Sequence, residues 1–409
     1  SSGRDCRLPK VDCRWVYDPQ AHETYQDVIV VYRYSAPAYT WPVIENQWDI
    51  RITRLKFEYD VQEQDPEDKW ILVEQEQLPV PGGENQYTGQ THPDIVYEQC
   101  SGDIYCAWSD LEEENSDFLY NRYNDSTASW VSQTGWSLEY TDKANDPWFV
   151  SIDTGLVEGT NPEEPEEVHR IVAFAYTGRF FDDPLPAPNL WGFRPVVGWW
   201  YIDNCTPDDD DHPALTPLYN PAFPPNNPAY DNRKFNAGMA RIDIPWDSTE
   251  PHNASMVYIQ DTELGDPGYY EVYGISSLAP TRFRWLSVPS TLPPEFIAAT
   301  LPSLAVNGTD GANVSVSFFA SGTEPASDWQ AWATLWNAST GTVSAPTEIS
   351  VDAEGESNFD ESFITHDWGT ASSIVMMDED SDFYWAAWSD KFGAYEPSRV
   401  LGSLGFANP

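Results

Sequence analysis

Six stretches rich in β-branched and aromatic residues recur along the chain, each closed by a polar turn, and no other feature narrows the possible folds as much. They occupy 27–35, 103–110, 170–178, 255–261, 313–322 and 382–390. The closest pair is Ala107-Trp-Ser-Asp110 and Ala387-Trp-Ser-Asp390. With Val31, Ala107, Ala175, Val257, Ser317 and Ala387 as markers, successive gaps run from 60 to 82 residues. Spacing of that kind belongs to one repeated supersecondary unit.

A shorter apolar run precedes most markers and is often opened by proline, at Pro9, Pro93, Pro147 and Pro302. Proline is tolerated at the first residue of a strand, where its missing N–H falls outside the ladder. A third run follows each marker, at 48–54, 118–123, 197–202, 269–274, 330–336 and 398–404, and a fourth in most units, as at 69–73 and 282–286. No stretch keeps a helical period. Four antiparallel strands, repeated, make the blade of a β-propeller, whose radial closure leaves only short sheet edges. The expectation is an all-β, six-bladed propeller of four-stranded antiparallel blades, with five or seven blades as alternatives, forming one domain over 1–409. The last unit stops soon after its third strand. Its outer strand is therefore short, absent or supplied by residues 1–8. The third unit is swollen by polar, Pro-rich insertions at 161–167 and 205–232.

The charge excludes whole classes of partner. Asp and Glu number 66 against 21 Lys and Arg, giving −45 and a pI near 4.1. Such a field repels nucleic acid and anionic membrane. Only six of the basic residues are Lys, and an acidic, Lys-poor surface fits a high-salt source, where screening shortens repulsion to a few ångströms. No apolar run approaches the roughly 18 to 20 residues that span a bilayer. The chain opens at Ser1 without Met, which reads as processing. Sequons at Asn124, Asn253, Asn307 and Asn337 are expected to carry glycan, and a fifth, at Asn313, falls inside a strand. Of five cysteines, Cys100 and Cys106 flank an apparent hairpin and are expected to pair, while Cys6 and Cys13 could close a short loop. Cys205 has no assigned partner. Together these features point to an extracellular or cell-surface protein.

Two units carry Asn124-Asp-Ser-Thr-Ala-Ser-Trp130 and Asn337-Ala-Ser-Thr-Gly-Thr-Val343 between their third and fourth strands. Both are similar to the Asp-box, the Ser-x-Asp-x-Gly-x-Thr-Trp turn of sialidase-like propellers. With the Ala-Trp-Ser-Asp strands, they make the chain resemble the sialidase/Asp-box superfamily over most of its length. Catalysis in that family uses an arginine triad, a Tyr–Glu nucleophile pair and an Asp acid/base. Arg7-Leu-Pro9 resembles the motif that supplies the first arginine, and Arg33 in the next strand stands where a second could lie. Fold does not carry function, however.

The remaining constellations have plain structural readings. Asp378, Asp380 and Asp382 have a spacing that could hold a structural calcium ion, yet they fall where a hairpin turn must lie. The run 208–211 before His212 reads as a solvated loop. The six His are scattered, and no zinc-protease, nucleophile-elbow, P-loop or dinucleotide motif occurs. For a glycan-active hydrolase, the inner-strand acids Asp12, Asp153 and Asp243 are the first to inspect. The run Trp199-Trp-Tyr201 offers rings for sugar stacking. Within 205–232, seven prolines alternate with Leu215, Leu218, Tyr219, Phe223 and Tyr230, the composition of a stiff contact arm. The preferred function is a non-catalytic binding or assembly subunit that takes a protein partner, a second copy or glycans. The rival is a propeller glycosidase.

Overall fold

The computed structural model describes residues 5–19, 23–35, 48–58, 70–78, 90–98, 101–111, 116–131, 136–138, 144–158, 168–180, 192–202, 214–216, 237–244, 254–261, 270–276, 296–306, 313–322, 329–338, 340–348, 373–376, 383–390 and 399–406. They contain no helix and form six antiparallel sheets, each built in strand order from a consecutive piece of chain. Sheet 1 holds β1 (Asp5–Asp18), β2 (Glu23–Ser35), β3 (Trp48–Glu58) and β4 (Trp70–Gln77). Sheet 2 holds β5 (Gln90–Tyr97), β6 (Ile104–Leu111), β7 (Ser116–Asn124) and β8 (Ser129–Trp130), with β9 (Trp136–Leu138) also on β7. Sheet 3 holds β10 (Ala144–Glu158), β11 (Val168–Phe180), β12 (Gly192–Tyr201) and β13 (Ala214–Thr216). Sheet 4 holds β14 (Ala237–Asp243), β15 (Ser255–Asp261) and β16 (Tyr270–Ser276). Sheet 5 holds β17 (Phe296–Val306), β18 (Asn313–Gly322) and β19 (Trp329–Asn337), with β20 (Thr342–Val343) and β21 (Thr347–Glu348) both on β19. Sheet 6 holds β22 (Ser373–Met376), β23 (Phe383–Asp390) and β24 (Arg399–Phe406). The chain divides into two compact units, 1–141 with 145–154, and 142–144 with 155–409.

All six markers lie on the second strand of their sheet, and their partners match from sheet to sheet. On the third strand they face Ile52, Tyr120, Val197, Gly274, Ala333 and Gly402. On the first strand Val31, Ala107, Val257, Ser317 and Ala387 face Lys10, Asp94, Arg241, Ser303 and Ser373. In the first four of these a β-bulge immediately precedes the paired residue. Pro9, Pro93 and Pro302 sit inside such bulges rather than opening their strands. A bulged residue is unpaired, so proline's missing N–H removes no ladder bond there.

Pairing fixes which face each side chain takes, because alternate residues point to opposite sides. In the first unit Ile29, Val31, Ile50 and Ile52 on one face of sheet 1 pack on Ile95, Tyr97, Ile104, Cys106, Trp108 and Leu119 of sheet 2. In the second unit Ile171, Ala173 and Ala175 pack on Ile242, Ile244, Met256 and Tyr258. There also Val257, Ile259 and Val272 pack on Leu304, Val306, Val314, Val316 and Phe318. These sets occupy equivalent positions, so sheets 1, 3 and 4 each present the same forward face to the sheet that follows. Trp108 and Trp336 are fully buried in these layers. At about 150–250 Å² per buried aromatic and about 25 cal/mol per Å², each contributes about 4–6 kcal/mol of transfer free energy before the entropy of ordering is subtracted.

Three expectations are corrected. Asp5, Cys6 and Arg7 pair with Ser35, Tyr34 and Arg33, so 5–8 extend sheet 1 and do not complete sheet 6. Cys6 and Cys13 lie in one continuous strand, and Cys13 is an exposed free thiol; seven residues of strand hold them about 20 Å apart, far beyond disulfide reach. Cys106 is also free, and buried. Its cross-strand partner is Ile95, and the turn closes between Glu98 and Asp103. Burial pushes the Cys106 thiol well up. Cys100 and Cys205 lie outside the described residues.

Candidate functional site

The first strands carry the acids singled out in the sequence, and the structure gives those acids a common task. Asp12 accepts the backbone N–H of Tyr97 in sheet 2 at 2.7 Å through Oδ2, and that of its own neighbour Cys13 through Oδ1. Asp243 accepts the N–H of Val306 in sheet 5 at 2.6 Å. Tyr97 and Val306 stand three residues beyond Asp94 and Ser303, so the two bonds are one staple used twice. Asp94, which the sequence reading passed over, accepts the N–H of Ile152 at 3.0 Å and of Ile95 at 3.1 Å. Asp153 accepts the N–H of its own neighbour Thr154 at 2.8 Å. Asp12, Asp94 and Asp243 each hold an amide of another sheet. The signal was present in the phase of Val11-Asp12, Ile152-Asp153 and Ile242-Asp243 relative to the markers.

The bulges bring strain to the same strands. His92, Phe149 and Met239 adopt φ of 49°, 55° and 53°, a left-handed region costly to side chains other than Asn, Asp or Gly. His92 and Met239 stand two residues before Asp94 and Arg241, which face their markers. The His92 and Phe149 rings meet at 4.6 Å between centroids. The N–H of Met239 donates to Thr177 Oγ1 at 2.8 Å, and a Cβ at Gly238 would fall 2.8 Å from the Thr177 methyl. Such outliers persist only where surrounding structure enforces them.

At the opposite end of the strands, sheets 1 and 2 are joined by charge. Arg54 forks onto buried Asp27 through Nε at 2.9 Å and through Nη2, and also donates to Asp125 at 3.1 Å. Arg14 Nη2 donates to Asp125 at 2.8 Å and to Asp27 at 3.4 Å. The Arg14 guanidinium lies over the Tyr97 ring at 4.9 Å, and burial pushes the Tyr97 phenol up. Gly102, at φ 77°, sits under this cation; a Cβ there would be 1.5 Å from Arg14 Nη1. Arg122 pairs with Asp103 at 2.9 Å, and burial raises the Asp103 carboxyl. Arg14 and Asp125 are 111 residues apart in sequence, so nothing local announced the network.

The two Asp-box-like segments form the same turn. Asn124 Oδ1 accepts Thr127 N at 3.0 Å and Thr127 Oγ1 at 3.2 Å; Asn337 Oδ1 accepts the same groups of Thr340, both at 2.9 Å. Each turn then passes through a left-handed residue, Ala128 at φ 49° and Gly341 at φ 74°. Asn337 also donates to Asn313 at 3.1 Å. Both sequon asparagines thus have a structural role. Asn253 and Asn307 lie outside the described residues.

Other candidates are dispersed. Arg7 and Arg33 stand directly opposite each other on β1 and β2. Asp378, Asp380 and Asp382 lie outside the described residues, between β22 and β23. Among the described residues no three His, Cys, Asp or Glu side chains are placed to hold a metal, and no helix is long and apolar enough to cross a membrane. Trp199 and Trp200 alternate along β12 opposite Ala173 and Val172. The described part of the 205–232 insertion is β13, where Leu215 pairs with Gly198 as part of the fourth strand of its own sheet.

No protein-family model matches the chain, and no curated protein is similar to it. Among solved structures the chain is similar to a thermostable family-43 glycoside hydrolase, at 12% identity and a TM-score of 0.39, over 81% of this chain and 95% of that one. It is similar to the parainfluenza virus 5 hemagglutinin-neuraminidase ectodomain at 9% identity and a TM-score of 0.46, over 98% and 81%. A third likeness is the polysaccharide lyase Uly1, at 12% identity and a TM-score of 0.37, over 97% and 77%. Likenesses of this order carry no functional argument.

Proposed function

We propose that the six sheets are the blades of a six-bladed β-propeller and that the protein is a non-catalytic binding or assembly subunit acting outside the cell. The ring is supported by the faces. Ile95 and Tyr97, Ile242 and Ile244, and Leu304 and Val306 are each buried against the preceding sheet of their own unit, the packing that a propeller repeats from blade to blade. The single observation that carries the functional reading is the staple: Asp12, Asp94 and Asp243, on strands that would line a propeller channel, are bonded to backbone amides. A hydrolase needs two carboxyls facing the substrate across about 5 to 10 Å. The charge and the sequons support export and a high-salt source, and the 205–232 arm beyond β13 is the proposed partner contact.

The second reading, a glycan-active hydrolase, is favoured by the register that puts Arg7 opposite Arg33, since arginine is the residue type that binds an acidic sugar. Incubation with sialosides and with neutral arabino-, fructo- and xylo-oligosaccharides separates the readings. No product should form, and Asp12→Asn should lower Tm without any other change. Turnover abolished by one carboxylate substitution would establish the hydrolase instead.

A further inference from the structure

Three sequon asparagines fall on described residues, and the fold treats them differently. N-glycosylation needs two groups, the amide nitrogen of Asn and the hydroxyl two residues on. In Asn313-Val-Ser315 that hydroxyl belongs to a fully buried serine. At Asn337 the whole amide is engaged. Its Oδ1 accepts the N–H and hydroxyl of Thr340, and its Nδ2 donates to Asn313 Oδ1 at 3.1 Å. Asn124-Asp-Ser126 differs on both counts. The Asn124 amide accepts at Oδ1 alone, from Thr127 N at 3.0 Å, Thr127 Oγ1 at 3.2 Å and Ser126 Oγ at 2.6 Å. A backbone N–H can only donate, so Thr127 fixes which end of the amide is oxygen and leaves Nδ2 unengaged among the described residues. Residues 126–129 are exposed. The turn is closed through Thr127, and the Ser126 hydroxyl is no part of that closure.

We propose that the fold makes Asn124, and not Asn313 or Asn337, an N-glycosylation site. The proposal rests on the extracellular reading, which supplies the modifying machinery. The reaction joins Nδ2 to the anomeric carbon of a sugar carried on a diphosphate. An N–C bond forms, the C–O bond to the diphosphate breaks with its electron pair, and Nδ2 gives up one proton. Oδ1 takes no part in the new bond, so Thr127 keeps its acceptor and the turn survives. At Asn337 the same reaction would set the sugar against Asn313 on the neighbouring strand. Asp125, next in the chain after Asn124, is tied to Arg14 and Arg54, which anchors the turn that bears the sugar. A glycan is bulky and hydrated. On this turn it keeps protein partners off the ionic latch between sheets 1 and 2, so assembly contacts lie elsewhere on the surface.

Secretion of the full chain from a eukaryotic host supplies the transferase and tests this. Peptides of the monodisperse fraction are mapped before and after release of N-glycans by an amidase, which leaves Asp where a glycosylated Asn stood. Asn124 should be occupied in most copies, and Asn313 and Asn337 should be largely bare. Ser126→Ala should abolish the Asn124 glycan. Because Thr127 still closes the turn, its Tm should match that of the deglycosylated parent within about 2 °C. Ser126→Thr should keep the glycan. A bare Asn124 in the monodisperse fraction overturns the proposal. So does a glycan confined to aggregated chain, since the turn would then admit sugar only when unfolded. Occupancy of Asn337 equal to that of Asn124 likewise overturns it, because the fold would not then select the site. A chain glycosylated on Asn124 yet retained inside the host would count against the extracellular reading and leave the site standing.

Discussion

The junction between sheets 1 and 2 and the junction between sheets 4 and 5 share one backbone plan and differ in chemistry. Both use a bulged first strand, a forward face of β-branched residues and one aspartate staple, Asp12 to Tyr97 or Asp243 to Val306. Beyond the staple they part. Where sheet 1 pairs Ile29 with Arg54, sheet 4 pairs Ser255 with Ser276, whose hydroxyls bond at 3.0 Å. Where the turn of sheet 2 carries Asp125, which binds Arg14 and Arg54, that of sheet 5 carries Ala338, buried among Val257, Val316 and Trp336. One Asn-centred turn thus serves as an ionic latch in one unit and an apolar plug in the other. Register is set by the features the junctions share, and the turn end is free to vary.

The largest break in that comparison should come from Asp27→Ala. It leaves Arg14 and Arg54, at 12% and 14% exposure, each short of an anionic partner. Removing one member of a buried ion network costs about 3–5 kcal/mol. The matched change in the other junction, Ser276→Ala, loses one neutral hydrogen bond, worth about 1 kcal/mol. Urea titration of both variants should show that ratio. Equal losses would mean that the charges add nothing beyond neutral packing.

Asp12→Ala and Asp243→Ala should come next, and should match each other. Each strands one backbone N–H between sheets, a loss of about 1–3 kcal/mol. Calorimetry on the two variants sharpens the comparison: similar shifts in Tm identify the staple as the shared device. A much larger effect at Asp12 would show that the staple and the ionic latch act as one network.

The parts of this fold that were legible in the sequence are those encoded locally. The markers from Val31 to Ala387 fell on the second strand of every sheet, since period-2 alternation and turn residues are short-range signals. The Asp-box-like turns were legible for the same reason, as Asn and Thr three residues apart define them. The bulges were misread as strand starts because proline suits both places. Cys106, expected to pair with Cys100, is a free buried thiol opposite Ile95. The latch from Arg14 to Asp125 and the staples of Asp12 and Asp243 were invisible, since their partners lie 63 to 111 residues away. For the same reason Asp12 and Asp243, chosen as possible catalytic acids, proved to be bonded to backbone.

The smallest effect separates the two turns themselves. Their Asn–Thr bonds are the same, but the left-handed residue is Ala128 in one and Gly341 in the other. Holding alanine left-handed costs about 1–2 kcal/mol relative to a right-handed backbone. Glycine escapes that penalty but loses more chain entropy on folding, by roughly 0.5–1 kcal/mol. The first quantity is larger, so Ala128→Gly should stabilise by about 0.5 kcal/mol and Gly341→Ala should destabilise by at least as much. Neither change touches the Asn or Thr side chains, so any difference is a backbone effect. Opposite shifts of about equal size in the urea midpoint, at unchanged m-value, would show that the turns are interchangeable. A loss at Ala128→Gly would instead mean that the methyl is packed, and that the turn of sheet 2 is held by its surroundings rather than by its own geometry.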